Sequence, residues 1–326
     1  MASVIAKHTF HRNSSLLLAI AGGLAIAVAP TFVEAGSLRL FIEIALLLAM
    51  AQMWNLLAGY GGLVSMGHQV FVGIGGYTLF VFSNATGLSP YWSVLAAPIV
   101  CAVFATLIAP FVFRLRDAYF SIGMWVVAEI VGILISISPW LGRSYGLTLL
   151  QVGRLDRDWF IPITFWMAGS LALLSTILVF LLLKTRLGLG LMAVRDNDLA
   201  ASSLGVDVWR CRFAAFVISA AGTGLAGAIY YMAAFQIVPT SAFNPNWSVQ
   251  LLFITIIGGI GNIFGPIVGI VLFFTIREAF AGAGNWYLIV LGGFGVTVML
   301  FAPKGIWGVV TERLGFDLLS VRRSPK

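Results

Sequence analysis

Long apolar stretches separated by short polar ones are the feature that most constrains this sequence. A transmembrane helix needs about 20 apolar residues to cross the hydrocarbon layer of a bilayer. Eight stretches approach that length without interruption, at residues 15–33, 40–58, 65–82, 91–113, 120–140, 161–183, 213–235 and 286–302. A ninth, at 247–276, is broken by glycine, asparagine and proline. The pattern predicts an all-α polytopic membrane protein with about 8–10 transmembrane helices.

The composition excludes two other classes of protein. Hydrophobic residues make up 60% of the chain and charged residues only 10%, whereas about 25% of residues are charged in an average soluble domain. The net charge of +7 comes from basic residues scattered singly or in pairs, without the basic stripe that nucleic-acid binding requires. We therefore expect a protein that binds membrane lipid and not nucleic acid.

The distribution of lysine and arginine predicts an orientation. Basic residues are concentrated in cytoplasmic loops of membrane proteins. That rule predicts a cytoplasmic tail at 1–14, a membrane domain at 15–302 with a cytoplasmic loop at 184–212, and a cytoplasmic tail at 303–326. Both termini are then cytoplasmic and the number of crossings is even, so the broken stretch 247–276 must cross twice or re-enter and return.

Two glycine-rich segments, one in each half of the chain, are expected to interrupt helices within the membrane. Paired interruptions of this kind are typical of the midplane substrate site of a transporter, and the pairing is compatible with an inverted repeat. The alternative is that the glycines only let helices approach closely. The expected hinge residues are Gly59, Gly61, Gly62 and Gly67 in the first segment and Gly258, Gly259, Gly261 and Pro266 in the second.

Polar side chains in and near these segments are the best candidates for lining a solute pathway. They are Asn55, Ser65, His68, Gln69, Tyr77 and Asn262. Glu129 lies inside an apolar stretch, where either a pathway role or structural hydrogen bonding would account for it. Glu43 lies four residues after Arg39, and we expect those two side chains to pair.

The loop at 184–212 is predicted to contain a short helix. Asp196 or Asn197 is suited to cap its start, and Gly205 to end it in a left-handed conformation. The apolar residues Ala200, Ala201 and Leu204 favour docking to a soluble partner over a solvated connector. The flanking arginines Arg195, Arg210 and Arg212 are suited to contact anionic lipid headgroups.

The same loop carries the strongest resemblance to a known family. Residues 195–207 read RDNDLAASSLGVD, preceded by the glycine-rich segment at 56–77 and followed by IGGIG at 257–261 and PKGIWG at 303–308. Together these segments resemble the inner-membrane permeases of branched-chain amino acid ABC transporters, and more narrowly the LivM-type subunit. The resemblance implies a bacterial inner-membrane importer with a second homologous permease, two cytoplasmic ATPase subunits and a periplasmic binding protein.

The resemblance also implies a role for the short helix in ATPase coupling. The residues carried over to that role are Arg195, Asp198, Ala200, Ala201, Leu204 and Gly205. In many ABC importers an acidic residue precedes the Ala-Ala pair, but here Leu199 occupies that place. Other departures, at 117, 132 and 141–146, leave the solute open among branched-chain amino acids, urea, other small amides and organic or aromatic acids.

The chain is not expected to be an enzyme. It has no G-x-x-x-x-G-K-[ST] phosphate loop, so ATP and Mg²⁺ would be bound by partner subunits and no cofactor by this chain. No residues have the spacing of a metal site or of a catalytic centre. A single-chain channel or ion-coupled secondary transporter remains the alternative, and a membrane enzyme a more distant one.

Overall fold

The computed structural model describes residues 22–24, 26–156, 158–280, 282 and 286–314. Within them the chain is almost entirely helical, which confirms the all-α class, and β1 (Leu147–Thr148) pairs antiparallel with β2 (Gln236–Ile237). The helices are α1 Ala35–Asn55, α2 Gln69–Thr86, α3 Pro90–Ser93, α4 Ala96–Val112, α5 Ala118–Ile137, α6 Phe160–Leu183, α7 Arg186–Asp196, α8 Asp198–Ser203, α9 Val208–Ala234, α10 Pro239–Ala242, α11 Asn246–Gly258, α12 Gly265–Ala279, α13 Trp286–Phe301 and α14 Gly305–Leu314.

Among the described residues, fewer helices than predicted are both long and apolar enough to cross a membrane. Five meet that test, and a sixth does if the bent pair in α13 and α14 is counted as one span. The five are Gly36–Tyr60, Pro90–Val112, Ala118–Ile137, Phe160–Leu183 and Val208–Ala234. The count is lower because 247–276 divides into two short helices, α2 carries several polar side chains, and the predicted span 15–33 lies partly outside the described residues.

Small residues allow α2 to pack tightly against α9 in the centre of the bundle. A Cβ atom added at Gly75 would lie 2.0 Å from the carbonyl oxygen of Gly224, and one added at Gly227 would lie 2.5 Å from that of Val72. Close backbone approach of this kind is how membrane helices gain packing energy in the absence of a hydrophobic driving force. Some of the glycines therefore serve packing, as the alternative interpretation predicted.

Both predicted breaks are present. After α1 the chain makes a π-helical turn at Leu56–Tyr60 and is non-helical until α2 begins. The second break separates α11 from α12, whose 13 and 15 residues form a hairpin with legs of about 20 Å at 1.5 Å per residue. Gly62 and Gly261 both have φ of 72°, a conformation in which a side chain would be strained.

The two breaks lie against each other at one end of the bundle. A Cβ atom added at Gly59 would lie 2.5 Å from the amide nitrogen of Gly261. Arg195, at the end of α7, and Gly305, at the start of α14, contact the same region. The strand pair β1–β2 joins the loops that follow α5 and α9, at the opposite end of those helices.

The length of α1 indicates where the first break lies along its span. α1 has 21 residues and is therefore about 31 Å long, close to the thickness of the hydrocarbon layer. The first break consequently lies toward one end of the candidate span Gly36–Tyr60. The midplane site and the inverted repeat stay predictions.

The ion pair of Glu43 is also corrected. Its partner is Arg277 of α12, with Nη1 and Nη2 lying 2.6 and 2.9 Å from the two carboxylate oxygens, and not the nearby Arg39. The guanidinium carbon of Arg277 also lies 4.2 Å from the centroid of the Phe274 ring. A bidentate pair is stronger than the i,i+4 contact predicted within one helix, and it fastens α12 to α1.

Because α8 and α14 lie at the same end of the bundle, we predict that they share one side of the membrane. In a Cys211→Ala background, an impermeant thiol reagent applied to intact cells should label neither Leu199→Cys nor Glu312→Cys. Both should be labelled in inside-out vesicles. Tyr145→Cys, exposed at the opposite end, should be labelled in intact cells and serves as the control. We call the end of the bundle that carries α8 the coupling end. Labelling of Leu199→Cys or Glu312→Cys from outside would contradict the cytoplasmic position of this end.

Candidate functional site

Asn55 joins the two breaks. Its Oδ1 accepts a hydrogen bond of 2.8 Å from the amide of Gly261, and its Nδ2 donates one of 2.9 Å to the carbonyl of Asn262. One helical turn earlier, Gln52 donates to the carbonyl of Ile263 at 2.9 Å. Buried backbone groups at a break in a helix need partners from the protein, and these amides supply partners that the hairpin tip would otherwise lack.

Arg195 brings the loop at 184–212 into this junction. Its Nη1 donates a 3.0 Å hydrogen bond to the carbonyl of Gly59, while Nε and Nη2 bind the carboxylate of Asp196 at 3.0 and 2.9 Å. Cβ atoms added at Gly62 and Gly261 would lie 3.3 and 3.0 Å from atoms of Arg195. Glycines of both breaks therefore contact Arg195. The sequence alone did not indicate this contact.

The neighbouring arginines are held by carboxylates within the same loop region. Arg210 pairs with Asp207 at 3.0 Å and Arg212 pairs with Asp198 at 3.2 Å. The second pair ties α8 to α9. These three arginines thus contact protein groups, and their contact with lipid headgroups stays a prediction.

His68 and Ser65, two of the expected pathway residues, are fully buried. The backbone carbonyl of Ser65 accepts a 2.8 Å hydrogen bond from the Trp54 indole, and its hydroxyl accepts a 3.4 Å bond from the amide of Gly67. His68 Nε2 lies 2.8 Å from the hydroxyl of Ser219, which donates its own proton to the carbonyl of Met53 at 2.7 Å. Since that hydroxyl has one proton to donate, the histidine must carry its proton on Nε2.

Gln69 and Tyr77 are similarly enclosed. The Oε1 atom of Gln69 accepts a hydrogen bond from the hydroxyl of Ser248, which links α2 to α11. The Tyr77 ring stacks on Phe243 with centroids 6.1 Å apart. Together with Asn55 and Asn262, these side chains hold the bundle together in the present conformation, and their role in lining a pathway stays a prediction.

Glu129 lies apart from all of them. It is exposed on the surface of α5, where Oε1 accepts a 3.1 Å hydrogen bond from the indole nitrogen of Trp125. The structure therefore brings Asn55 and Asn262 together, joins His68 and Gln69 to other helices, and separates Glu129 from that set.

Helix α8 forms as predicted. Of the two candidate caps it is Asn197 that caps the helix, since its Oδ1 accepts a 2.9 Å hydrogen bond from the amide of Ala200. Gly205 follows with φ of 83°. Leu199 and Leu204 are 77% and 84% exposed.

One residue of the predicted docking surface is corrected: Ala201 is only 2% exposed and packs inside this chain. It therefore cannot belong to the surface predicted to bind a partner. We define the α8 surface by its three exposed apolar residues, Leu199, Ala200 and Leu204. Burial of Ala201 and the ion pair of Asp198 with Arg212 hold this surface in place.

An all-α bundle with broken apolar helices in contact, and a capped helix exposed at one end, defines a polytopic membrane transport protein. The chain belongs to the family described as branched-chain amino acid transport system / permease component, whose model matches residues 36–302. That match covers most of the chain, including both breaks and α8.

Individual relatives agree with this family. The chain is 29% identical to the high-affinity branched-chain amino acid transport system permease protein LivM of Salmonella typhimurium, over 89% of this chain and 75% of the relative. It is 28% identical to the protein of the same name from Escherichia coli, with the same coverage. It is 27% identical to the nucleoside ABC transporter permease protein NupC of Lactococcus lactis, over 59% of this chain and 63% of the relative. No solved structure matched the chain significantly.

We predict that Gly261→Leu destabilises the junction. The substitution places a side chain at positive φ and against the carbonyl of Gly59, which costs about 1–3 kcal/mol in backbone strain alone. The melting temperature of the purified protein should fall by several degrees. Gly293→Leu is the control, because open space surrounds that position in α13. Equal melting temperatures for the two variants would contradict the assigned contact.

Proposed function

We propose that the chain is the transmembrane permease subunit of an ATP-driven importer and forms part of the route for a small polar solute. The observation that carries this proposal is the arrangement of α8: an exposed apolar surface begins four residues after Arg195, which contacts both broken segments. Family membership supports the same assignment. The protein would be a multi-pass protein of the bacterial inner membrane, with both termini in the cytoplasm.

The α8 surface is suited to a groove on a separate ATPase subunit. A helix of six residues is too short to be stable alone, and its leucines are exposed at a polar end of the bundle. Burying them in a partner would remove apolar area from water. ATP and Mg²⁺ would then be bound by two such ATPase subunits, and no catalytic residue is assigned to this chain.

Arg195 supplies a mechanism for coupling. It is the penultimate residue of α7, and Asn197, which caps α8, comes two residues later. A displacement of α8 when the ATPases close would therefore move the guanidinium group that binds Gly59 and contacts Gly261. Both breaks would respond together, because Asn55 joins them.

The remaining partners follow from the same proposal. A second homologous permease would complete the membrane domain, and a periplasmic binding protein would deliver the solute. The names of the LivM relatives favour branched-chain amino acids, while the lactococcal relative is named for nucleosides. We propose branched-chain amino acids or a related small amide or organic acid as the solute class.

We predict that Leu204→Arg uncouples the permease from its ATPase. A charge at the centre of the α8 surface should weaken ATPase binding at least ~10-fold, as loss of a central apolar contact does in other interfaces. Uptake should fall accordingly, while membrane insertion stays normal. Leu204→Met keeps the surface apolar and is the matched control. Ala201→Arg is unsuitable as a test because that residue is buried within the chain.

Two results would contradict this function. Normal ATP-dependent uptake by Leu204→Arg would remove the coupling role of α8. Solute transport by the purified chain in liposomes without any ATPase would instead favour the single-chain channel or ion-coupled carrier, which needs no docking helix.

A further inference from the structure

Glu129 lies at a position in α5 where a charged side chain is energetically unfavourable in a membrane. It lies eleven residues after α5 begins and eight before it ends, about 16 and 12 Å from the two ends at 1.5 Å per residue. That places the carboxylate within the hydrocarbon layer of any bilayer that α5 crosses. An acidic side chain at the centre of a lipid-facing helix costs about 2.5–3.5 kcal/mol on insertion scales.

Nothing in the described part of the chain neutralises this carboxylate. Its hydrogen bond there comes from the neutral indole of Trp125, and no lysine or arginine of the described residues forms an ion pair with it. The surrounding face of α5 is apolar and exposed at Ile122, Val126 and Ile133. Of the five candidate spans, α5 is the least buried. An ionisable group on such a face is expected to meet water or protein instead of lipid.

The opposite side of α5 packs on the first break. The hydroxyl of Ser121 donates a 2.5 Å hydrogen bond to the carbonyl of Val64. A Cβ atom added at Gly67 would lie 2.0 Å from the carbonyl oxygen of Met124. A movement that begins at the coupling end therefore reaches α5 directly, since Arg195 binds the same broken segment.

The interior of the chain offers a solute less than this face does. Ser65, His68 and Gln69 are fully buried, and the side chains of His68 and Gln69 bond to Ser219 and Ser248 of other helices. Nδ1 of His68 and Nε2 of Gln69 have no partner within the described part of the chain, but burial closes them to a solute in this conformation. A route through them would require the surrounding helices to move apart. The open face of α5 requires no such change, because its side chains are already exposed.

We propose that the exposed face of α5 is one wall of the solute route, closed on its other side by the second permease subunit, and that Glu129 binds a positively charged ammonium group of the solute. The carboxylate attracts the cation, and the adjacent aromatic Trp125 adds a group that favours cations. This inference rests on the proposed function for the existence of the second subunit, but its test does not require the solute to be known.

The wall is tested by thiol labelling of the assembled complex in a Cys101→Ala, Cys211→Ala background. MTSET, a cationic reagent that reacts with thiols in water, should modify Ile133→Cys at least ~10-fold faster than Ile99→Cys. Ile99 is the control, because it lies at comparable depth in the neighbouring α4 and is 66% exposed. Equal slow rates at both positions would show that lipid or tightly packed protein covers α5, and would overturn the proposal.

The charge of Glu129 is tested at the same position. With Glu129 present, MTSET should react with Ile133→Cys faster than the anionic reagent MTSES does, relative to the rates of the two reagents on a free thiol. Adding Glu129→Gln should lower that ratio several-fold, and Glu129→Asp should preserve most of it. An unchanged ratio in the Gln variant would overturn the cation-binding role.

These outcomes are distinguishable from failure of the proposed function. Transport without an ATPase would reject the importer and leave the labelling pattern as it is. Conversely, loss of the labelling pattern in a complex that still shows ATP-dependent uptake would reject only the role of α5 and Glu129.

Discussion

The hydrogen bonds of Asn55 are the interaction on which the rest of the structure depends. Two helices end inside the bundle, and in a membrane their free backbone groups have no water to bond. One amide side chain binds the tip of the second break from the last turn of the helix that leads into the first. Without that connection, the amide of Gly261 and the carbonyl of Asn262 at the tip of the hairpin α11–α12 would lose their side-chain partner.

Arg195 extends this junction to the coupling end. A guanidinium group binds carbonyl and carboxylate oxygens in fixed directions. A displacement of α7 or α8 would therefore also displace the group that is bonded to the carbonyl of Gly59. The glycines around it have no side chains and therefore leave room for it. The glycines allow the helices to be interrupted, and because they lack side chains they also allow Arg195 to contact both breaks.

Local features could be predicted from the sequence, and long-range partners could not. The apolar stretches, the cap of α8, the left-handed Gly205 and both breaks depend on residues close together in the chain, where spacing and conformational preference decide. Glu43 is 234 residues from Arg277, and His68 is 151 residues from Ser219. Nothing local distinguishes those partners from others. Ala201 was misassigned for a related reason: a six-residue helix has apolar residues on more than one side, and only packing determines which side is free.

The polar residues predicted to line a pathway are mostly buried, which changes where the solute route has to be sought. Polar residues inside a membrane serve either to bind helices together or to meet a solute, and a sequence cannot separate the two uses. In this conformation His68 and Gln69 are buried and bonded to other helices, which closes them to a solute even though Nδ1 of His68 and Nε2 of Gln69 have no partner within the described part of the chain. Glu129 instead presents a carboxylate outward from the least buried span. Among the described residues, Glu129 is the one carboxylate that faces outward near the middle of a span. A solute at this face needs a second subunit to enclose it. The first break packs against α5, so a movement at the coupling end can reach that wall.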